Sequence, residues 1–326
     1  GLTDIDEVSK TPMNGLYEVR VGTDILYTDA EGNYLLHGNL LDTKARKNLT
    51  EERIETDSTY DAGTTTQLMW GARSDVGCVR PHNEDSYLVQ SPLFCVCDGM
   101  GGHAAGEVAS SIAVETIAKT APQSADAARL AAAVEAANAA VIEAALNGLG
   151  KPGMGCTATC AYIENDTLAI AHVGDSRAYL LHEGTLIRVT RDHSYVEELV
   201  DAGEITVDEA RVHPNRSVIT RALGSDPAMY ADHFTLHIEE GDRLILCSDG
   251  LSSMIPDSDI ENIATQSSTA QICVDNLVDA ALAAGGHDNV TVVVVDLVDD
   301  GVMREAQRVR RRNVTIAAIL ALVFVL

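Results

Sequence analysis

Carboxylates stand at the ends of four apolar, strand-like runs of this sequence. They are Glu84 and Asp85 in RPHNEDSYLV, Asp98 in LFCVCDGMGGH, Asp249 in LILCSDGL and Asp288 in GGHDNVTVVVV. Taken singly, each is ordinary turn chemistry beside a strand. Taken together, they form an all-oxygen ligand set of the kind that Mg²⁺ or Mn²⁺ prefers, and clustered carboxylates cannot all stay ionised without a cation between them. The set therefore predicts a binuclear metal centre.

The elements that must position these carboxylates begin near Gln67. Strand-like runs such as DTLAIAHVGDSRAYLLHEGTLIRVT, DRLILCSDG and NVTVVVVDL are interrupted by two alanine-rich amphipathic segments, GEVASSIAVETIAKTA and SADAARLAAAVEAANAAVIEAALNGLG. Because the helical segments come as a block, the pattern favours an α+β sandwich over a doubly wound parallel sheet. We expect a central β-sandwich flanked by helices in α-β-β-α layers. A polar segment between Asp192 and Arg221 has few large apolar residues, which is typical of a mobile flap.

The amino-acid composition of the chain excludes some classes of function. The chain has 326 residues, 46% of them hydrophobic, and a formal net charge of −26 from 23 basic and 49 acidic residues. It can bury a large core, and its acidity would repel a phosphate backbone, so nucleic acid is excluded as a partner. Seven cysteines without a C-x-x-C pair indicate reduced, buried thiols in a cytosolic compartment.

A succession of motifs carries a family resemblance over residues 67–297. SDVGCVRPHNEDS, VCDGMGGHAAGEVAS, GCTAT, AHVGDSRAYLL, TRDHSYVEELVDAGEIT, HPNRSVITRALG, ILCSDGL and GGHDNVTVVVV follow one another in order. Together they resemble the bacterial branch of the metal-dependent Ser/Thr protein phosphatases, the type-2C family. The resemblance implies hydrolysis of phosphoserine and phosphothreonine in proteins, opposite a bacterial Ser/Thr kinase, with Mn²⁺ or Mg²⁺ as cofactor, two ions per chain or three.

The same resemblance implies a metal-binding role for individual residues. Asp98 would bridge two metals, and the carbonyl of Gly99 would bind one of them. Asp249 and Asp288 would complete the other metal's shell. Asp175, in GDSR, matches the position that joins Asp249 around a third, weaker metal in bacterial members.

Further roles concern water, phosphate and protons. Glu84 and Asp85 would hold coordinated waters, and the cations would lower the pKa of a shared water so that hydroxide attacks phosphorus directly. Arg80 would grip the phosphate oxygens bidentately, as a planar guanidinium can and an ammonium cannot. His103 is the candidate for protonating the departing oxygen. Cys156 stands where the family usually has threonine.

The first 54 residues have a separate resemblance. TPMNGLYEVRVGTDILYTDAEGNYLLHGNLLDT contains two alternating runs broken by a turn, and residues 1–54 resemble the N-terminal dimerisation module of periplasmic DsbC-type disulfide isomerases. This resemblance implies a homodimer formed by pairing edge strands. The polar residues 55–66 are predicted to be a linker to a phosphatase domain at 67–300. The relatives of this module are periplasmic, whereas type-2C phosphatases act on cytosolic phosphoproteins. A natural rearrangement, an artificial fusion and a misjoined or generated sequence are therefore all open explanations of this pairing.

The end of the chain predicts a membrane contact. Residues 301–313 form a basic segment, REAQRVRRRN at its core, and residues 314–326 contain one polar side chain, Thr315. A cationic cluster before an apolar run is the positive-inside pattern and places the phosphatase domain at the cytoplasmic face of the cell membrane. The apolar run is shorter than the ~20 residues that span a bilayer, so it is interpreted as the start of a truncated transmembrane helix, with a buried helix as the alternative.

Two other function classes compete with the phosphatase. One is a catalytically silent binding module that keeps the phosphatase fold, and the discriminating feature is the ligand set, which this chain retains. The other is a redox protein related to the disulfide isomerases through residues 1–54. The absence of a C-x-x-C pair from the sequence argues against that activity.

Overall fold

The computed structural model describes most of the phosphatase-like region and part of the N-terminal region. The described residues are 7–11, 13, 15–21, 24–29, 35–37, 41–42, 47–48, 67–101 and 105–298. The chain divides into two compact units, residues 1–64 and residues 65–326, and each is described by itself.

The first unit is a small antiparallel sheet, as expected for a β-rich module. Its strands are β1 (Glu7–Lys10), β2 (Tyr17–Val21), β3 (Asp24–Thr28) and β4 (Leu35–His37), which pair in sequence order, and β5 (Leu41–Asp42) and β6 (Lys47–Asn48), which pair with each other. Val19 on β2 and Tyr27 on β3 are buried. Successive strands follow one another closely along the chain, and Gly15, at φ +81°, occupies the turn before β2.

The second unit contains twelve strands among its described residues. They are β7 (Gln67–Asp75), β8 (Ser86–Gln90), β9 (Leu93–Cys97), β10 (Gly99–Met100), β11 (Gly155–Cys156), β12 (Ala158–Glu164), β13 (Thr167–Val173), β14 (Arg177–His182), β15 (Thr185–Arg188), β16 (Asp232–His237), β17 (Arg243–Cys247) and β18 (Val290–Val298). Two five-stranded antiparallel sheets result, in the orders β16-β13-β12-β9-β8 and β15-β14-β17-β18-β7, and β10 pairs with β11. The β14–β15 hairpin closes through Glu183 and Gly184, both at positive φ, which matches the right-handed twist of its strands.

Helices cover both outer faces of the sandwich. They are α1 (Ala105–Thr120), α2 (Ala127–Leu146), α3 (Tyr195–Asp201), α4 (Val207–Val212), α5 (Asp249–Ser252), α6 (Asp257–Gln266) and α7 (Ala270–Ala283). One apolar cluster lies under α1 and α2, a second under α6 and α7, and a third between the two sheets. The predicted α-β-β-α layering is therefore confirmed.

Strand β18 shows why the sheets are sandwiched. Val292 and Val294 face the helix layer, whereas Val293 and Val295 face the other sheet, and all four are fully buried. Because successive side chains of a strand point to opposite faces, an unbroken valine run needs apolar neighbours on both sides. The outward faces of the two sheets are covered by the two helix pairs.

The polar segment after Asp192 is an exposed excursion from the sandwich. Its helices α3 and α4 are capped by Ser194 and Thr206, and a bridge between Ser194 and Ile219 closes its base. Helix α4 buries none of its residues. Such sparse packing is typical of segments that unfold locally at a low cost in free energy.

The predicted membrane segment, residues 314–326, lies outside the described residues. In the part of the chain that the structure describes, no helix combines the length and apolar character needed to cross a bilayer.

Candidate active site

Strand ends from both sheets bring the predicted carboxylates together. Asp98 follows β9 in one sheet, Asp249 follows β17 in the other, and Asp288 and Asp85 precede β18 and β8. The charges of Asp85, Asp175, Asp249 and Asp288 all act on Asp98, and together with burial they raise its pKa well above the ordinary value. Five carboxylates from separate segments thus share one site.

Asp98 is held by reciprocal hydrogen bonds with Thr157, one to the threonine hydroxyl and one between main chains. The Asp98 N–H donates to Thr157 Oγ1 at 2.9 Å, and the Thr157 N–H donates to the Asp98 carbonyl at 2.8 Å. The next residue, Gly99, pairs with Cys156 where β10 meets β11. Because β12 begins at Ala158, the start of this strand fixes the position of the carboxylate that is predicted to bridge two metals.

Asp249 lies beside Asp98. Burial and the charge of Asp288 raise the pKa of Asp249 to about 6, and the proximity of Asp98 opposes that rise. Two carboxyl groups this close retain a proton unless a cation lies between them. A divalent cation takes the place of that proton, so this donor chemistry fits the predicted metal.

Two buried carboxylate oxygens have no hydrogen-bond partner: Oδ1 of Asp85 and Oδ1 of Asp175. The other oxygen of Asp85 accepts from Ser248 Oγ at 2.8 Å and from Thr291 Oγ1 at 2.7 Å. Burial raises the pKa of Asp85 to about 7 and that of Asp175 well above its usual range. A buried, unpartnered oxygen needs a ligand, and both point to a cation or its water.

Glycine is required where Glu84 packs against the site. A Cβ on Gly99 would lie 2.3 Å from the carbonyl oxygens of both Glu84 and Gly106. A Cβ on Gly106 would lie 2.3 Å from Glu84 Oε2. Because these neighbours include rigid backbone, the two glycines allow Glu84 to lie against the Gly99 peptide.

Arg80 lies at the mouth of the site. Its Nη2 donates to Asp288 Oδ2 at 2.7 Å, and this hydrogen bond raises the pKa of Arg80. The Arg80 side chain is 55% exposed, so its remaining N–H groups are accessible to a ligand.

Asn289 positions the loop that carries Arg80, and the sequence analysis did not single it out. Its Nδ2 donates to the carbonyls of Val76 and His82, both at 2.9 Å, and its Oδ1 accepts the Glu84 N–H at 2.8 Å. The one feature of the sequence that could have indicated Asn289 is its position directly after Asp288, just before a strand. Its three hydrogen bonds could not be predicted, because they join segments about 200 residues apart in the chain.

A second group of residues surrounds Asp175. Gly174, at φ +110°, precedes it, and a Cβ there would meet Thr157 Cγ2 at 2.5 Å. Arg177 binds Asp192 through Nε at 2.9 Å and Nη2 at 2.7 Å. Asp192 in turn raises the pKa of Asp175. Asp175 is thereby tied to the base of the exposed excursion.

His103 is the one predicted site residue outside the described residues. The other predicted positions lie together as stated. Within 67–101 and 105–298 no three Asp, Glu, His or Cys side chains already form a closed set around one ion. Asp288 bonds to Arg80 instead, and Asp85 bonds to Ser248 and Thr291.

Family models match both regions of the chain. The Protein phosphatase 2C model matches residues 72–290. The model of the Disulfide bond isomerase protein N-terminal domain matches residues 1–51. Both resemblances predicted from the motifs are confirmed.

Curated relatives and a solved structure support the Protein phosphatase 2C match. Serine/threonine protein phosphatase PstP of Mycobacterium tuberculosis is 43% identical over 244 residues, which is 73% of this chain and 46% of PstP, so the chain spans about half of that relative's length. Serine/threonine phosphatase stp of Listeria welshimeri is 37% identical over 69% of this chain and 94% of its own. A crystal structure of the PstP catalytic domain in complex with two manganese ions has a TM-score of 0.66 at 40% identity and covers 71% of this chain and 99% of its own.

These matches extend through every motif that supplies a carboxylate, and the matched structure carries manganese. The observed layers agree with the same fold. The chain belongs to the protein phosphatase 2C family.

Proposed function

We propose that this protein hydrolyses phosphoserine and phosphothreonine in proteins with the help of Mn²⁺ or Mg²⁺. The observation that carries the proposal is the cluster of five carboxylates, partly or fully buried, two of which have unpartnered oxygens, beside an accessible guanidinium. The manganese ions in the related PstP structure support it. The intact ligand set favours a catalyst over a silent binding module.

The cofactor would be held by residues of the candidate site. We assign to it Asp98, the Gly99 carbonyl, Asp249 and Asp288, with Glu84 and Asp85 binding waters beside it and Asp175 joining Asp249 around a third ion. When bound, the divalent ions supply Lewis-acid activation of water near neutral pH. Partial burial of the carboxylates reduces their contact with bulk solvent, which strengthens the charge interactions inside the site.

Two side chains are assigned to the substrate. Arg80 would exchange its bond to Asp288 for the phosphate oxygens, which accept from a guanidinium in the same way as a carboxylate does. His103 would protonate the departing serine or threonine oxygen, a task that suits a group titrating near neutral pH.

A phosphothreonine peptide assay tests the proposal. We expect release of phosphate with Mn²⁺ or Mg²⁺ and none in excess chelator, and we expect Asp98→Asn and Asp249→Asn to abolish turnover. Asp259→Asn is the matched control, because Asp259 is exposed on α6 away from the site. Activity that persists in chelator, or full activity of either site variant, would refute the assignment.

Further proposals concern the substrates of the protein, its oligomeric state and its location in the cell. We propose that the substrates are phosphoproteins made by a Ser/Thr kinase, that residues 1–54 join two chains into a homodimer, and that residues 301–326 hold the phosphatase domain at the cytoplasmic face of a membrane. The four-stranded sheet supports the second point, because β1 and β4 are its edges among the described strands. Light scattering should give twice the monomer mass of 34.7 kDa. Deletion of residues 301–326 should abolish flotation with lipid vesicles. A monomeric full chain would contradict the homodimer, and a full chain that does not float with vesicles would contradict the membrane contact.

A further inference from the structure

Four cysteines cluster in the layer beneath α1 and α2. Cys95 and Cys97 lie on β9, Cys156 ends β11, and Cys160 lies on β12. All four are fully buried free thiols and belong to the same apolar cluster. They share one face because residues two apart on a strand point the same way.

Cys95 and Cys160 form the tightest pair of this cluster. They are direct partners in the antiparallel register of β9 and β12, and their Sγ atoms are 2.7 Å apart. Cys95 Sγ is 3.7 Å from Cys97 Sγ. Directly opposed antiparallel residues have Cα atoms about 4.5–5.5 Å apart, which lies inside the range that a disulfide requires. The two sulfurs are within about 1 Å of the S–S bond length.

A metal does not explain this arrangement. Four thiolates around Zn²⁺, each about 2.3 Å from the ion, would be separated from one another by about 3.8 Å in a tetrahedron. The Cys95 and Cys160 sulfurs are much closer than that. The geometry suits a bond between two sulfurs better than a shared ligand.

We propose that Cys95 and Cys160 are a redox-convertible thiol pair that hydrogen peroxide oxidises to a disulfide. The sulfur of one cysteine attacks a peroxide oxygen and breaks the O–O bond, which yields a sulfenic acid and one water. The second thiol attacks the sulfenic sulfur, forms the S–S bond and releases a second water. The pair loses two electrons and two protons, and the peroxide is reduced to two waters.

The pair lies next to the strands that hold the metal-bridging candidate. Cys95 is three residues before Asp98 on β9, and Cys160 is three residues after Thr157, whose main chain and hydroxyl fix Asp98. A Cys95–Cys160 bond would therefore join the two segments whose contact positions this carboxylate. Burial raises the pKa of both thiols, which makes the oxidation slow rather than immediate.

Peptide mapping of the full chain tests the proposal. Cys78 is exposed, so a Cys78→Ser background removes intermolecular disulfides. The folded protein is incubated with hydrogen peroxide, denatured in acid, alkylated and digested. We expect the six remaining cysteines to give four alkylated ones, together with a linked peptide pair containing Cys95 and Cys160 that dithiothreitol separates.

Matched variants and an internal standard make the result decisive. Cys160→Ser should abolish the linked peptide, whereas Cys273→Ser, at a buried thiol in the opposite helix layer, should leave it unchanged. Met13 is 60% exposed, and its sulfoxide reports that the oxidant has acted. If Met13 is oxidised while Cys95 and Cys160 are recovered as alkylated thiols, as sulfinic acids or in other linkages, the proposal is overturned.

Discussion

His193 holds Gly174 from both sides. Its Nδ1 accepts the Gly174 N–H at 3.0 Å, and its own N–H donates to the Gly174 carbonyl at 2.7 Å. The Nε2–H of His193 donates to Asp232 Oδ2 at 3.0 Å. Because Gly174 directly precedes Asp175, this side chain links the base of the exposed excursion to a proposed metal ligand.

We expect His193→Ala to weaken metal activation through Asp175. Loss of the acceptor leaves a buried N–H unpaired, which destabilises the fold by about 1–3 kcal/mol. The Mn²⁺ concentration needed for half-maximal activity should rise. His193→Asn should restore it in part, because its Oδ1 can accept the same N–H. His233→Ala is the control, since His233 is exposed, and an unchanged Mn²⁺ titration of His193→Ala would contradict this role.

We expect His172 to contribute less stability in mild acid than at neutral pH. Burial lowers the pKa of His172 to about 4, while its Nε2 lies 3.0 Å from the Arg191 carbonyl and its Nδ1 lies 2.9 Å from Thr159 Oγ1. The unfolded chain binds a proton below about pH 6.5 that the folded chain does not bind until about pH 4. The contribution is therefore complete above pH 6.5 and is lost as the pH falls toward 4, by about 3 kcal/mol at most.

Urea unfolding between pH 4.5 and 8 measures this effect. As the pH falls from 6.5 to 4.5, the native chain should lose free energy of unfolding relative to His172→Gln, because the raised pKa values of the site carboxylates act equally on both proteins. Equal slopes for the two proteins would show that His172 does not titrate in this way.

We expect Gly99→Ala to abolish activity. Its Cβ would lie 2.3 Å from the carbonyl oxygens of Glu84 and Gly106, so the backbone beside Asp98 must shift, and such overpacking destabilises a fold by about 1–3 kcal/mol. Gly148→Ala is the matched control: its φ is +78° but its Cβ meets no atom within 4 Å. The control should lose about 1 kcal/mol of stability and keep its activity. Phosphatase assays and thermal unfolding of both variants measure these effects. If Gly99→Ala loses stability but keeps its activity, as the control should, the substitution strains the fold without displacing the site.

We expect Arg80→Ala and Arg80→Lys to weaken phosphopeptide binding. Charged hydrogen bonds contribute about 1.5–3 kcal/mol, so kcat/KM should fall by about 10- to 100-fold for alanine, and lysine should rescue it only in part. Arg129→Ala is the control, because the Arg129 side chain is 77% exposed and pairs with Asp126 on a helix surface. An unchanged KM in Arg80→Ala would remove Arg80 from the substrate site.

The elements of this fold were predictable because they are local. The valine run of β18, the alanine-rich helices and the turns that contain glycine each follow from periodicity within a few residues. The carboxylate motifs were likewise visible, since Asp-Gly and Asp-Asn stand beside apolar runs. No periodicity, however, indicates that Asn289 bonds to Val76, or that Cys95 lies opposite Cys160.

The sequence by itself determined the residue types: oxygen ligands for a hard cation, a guanidinium for phosphate, and apolar patterns that require two sheets between helices. The tertiary structure decided which of these groups meet and in what state. The contact between Asp98 and Asp249, the two unpartnered oxygens and the raised pKa values arise from burial. Burial depends on strand register and layer packing across distant segments, and the free energy of a charge depends on its surroundings.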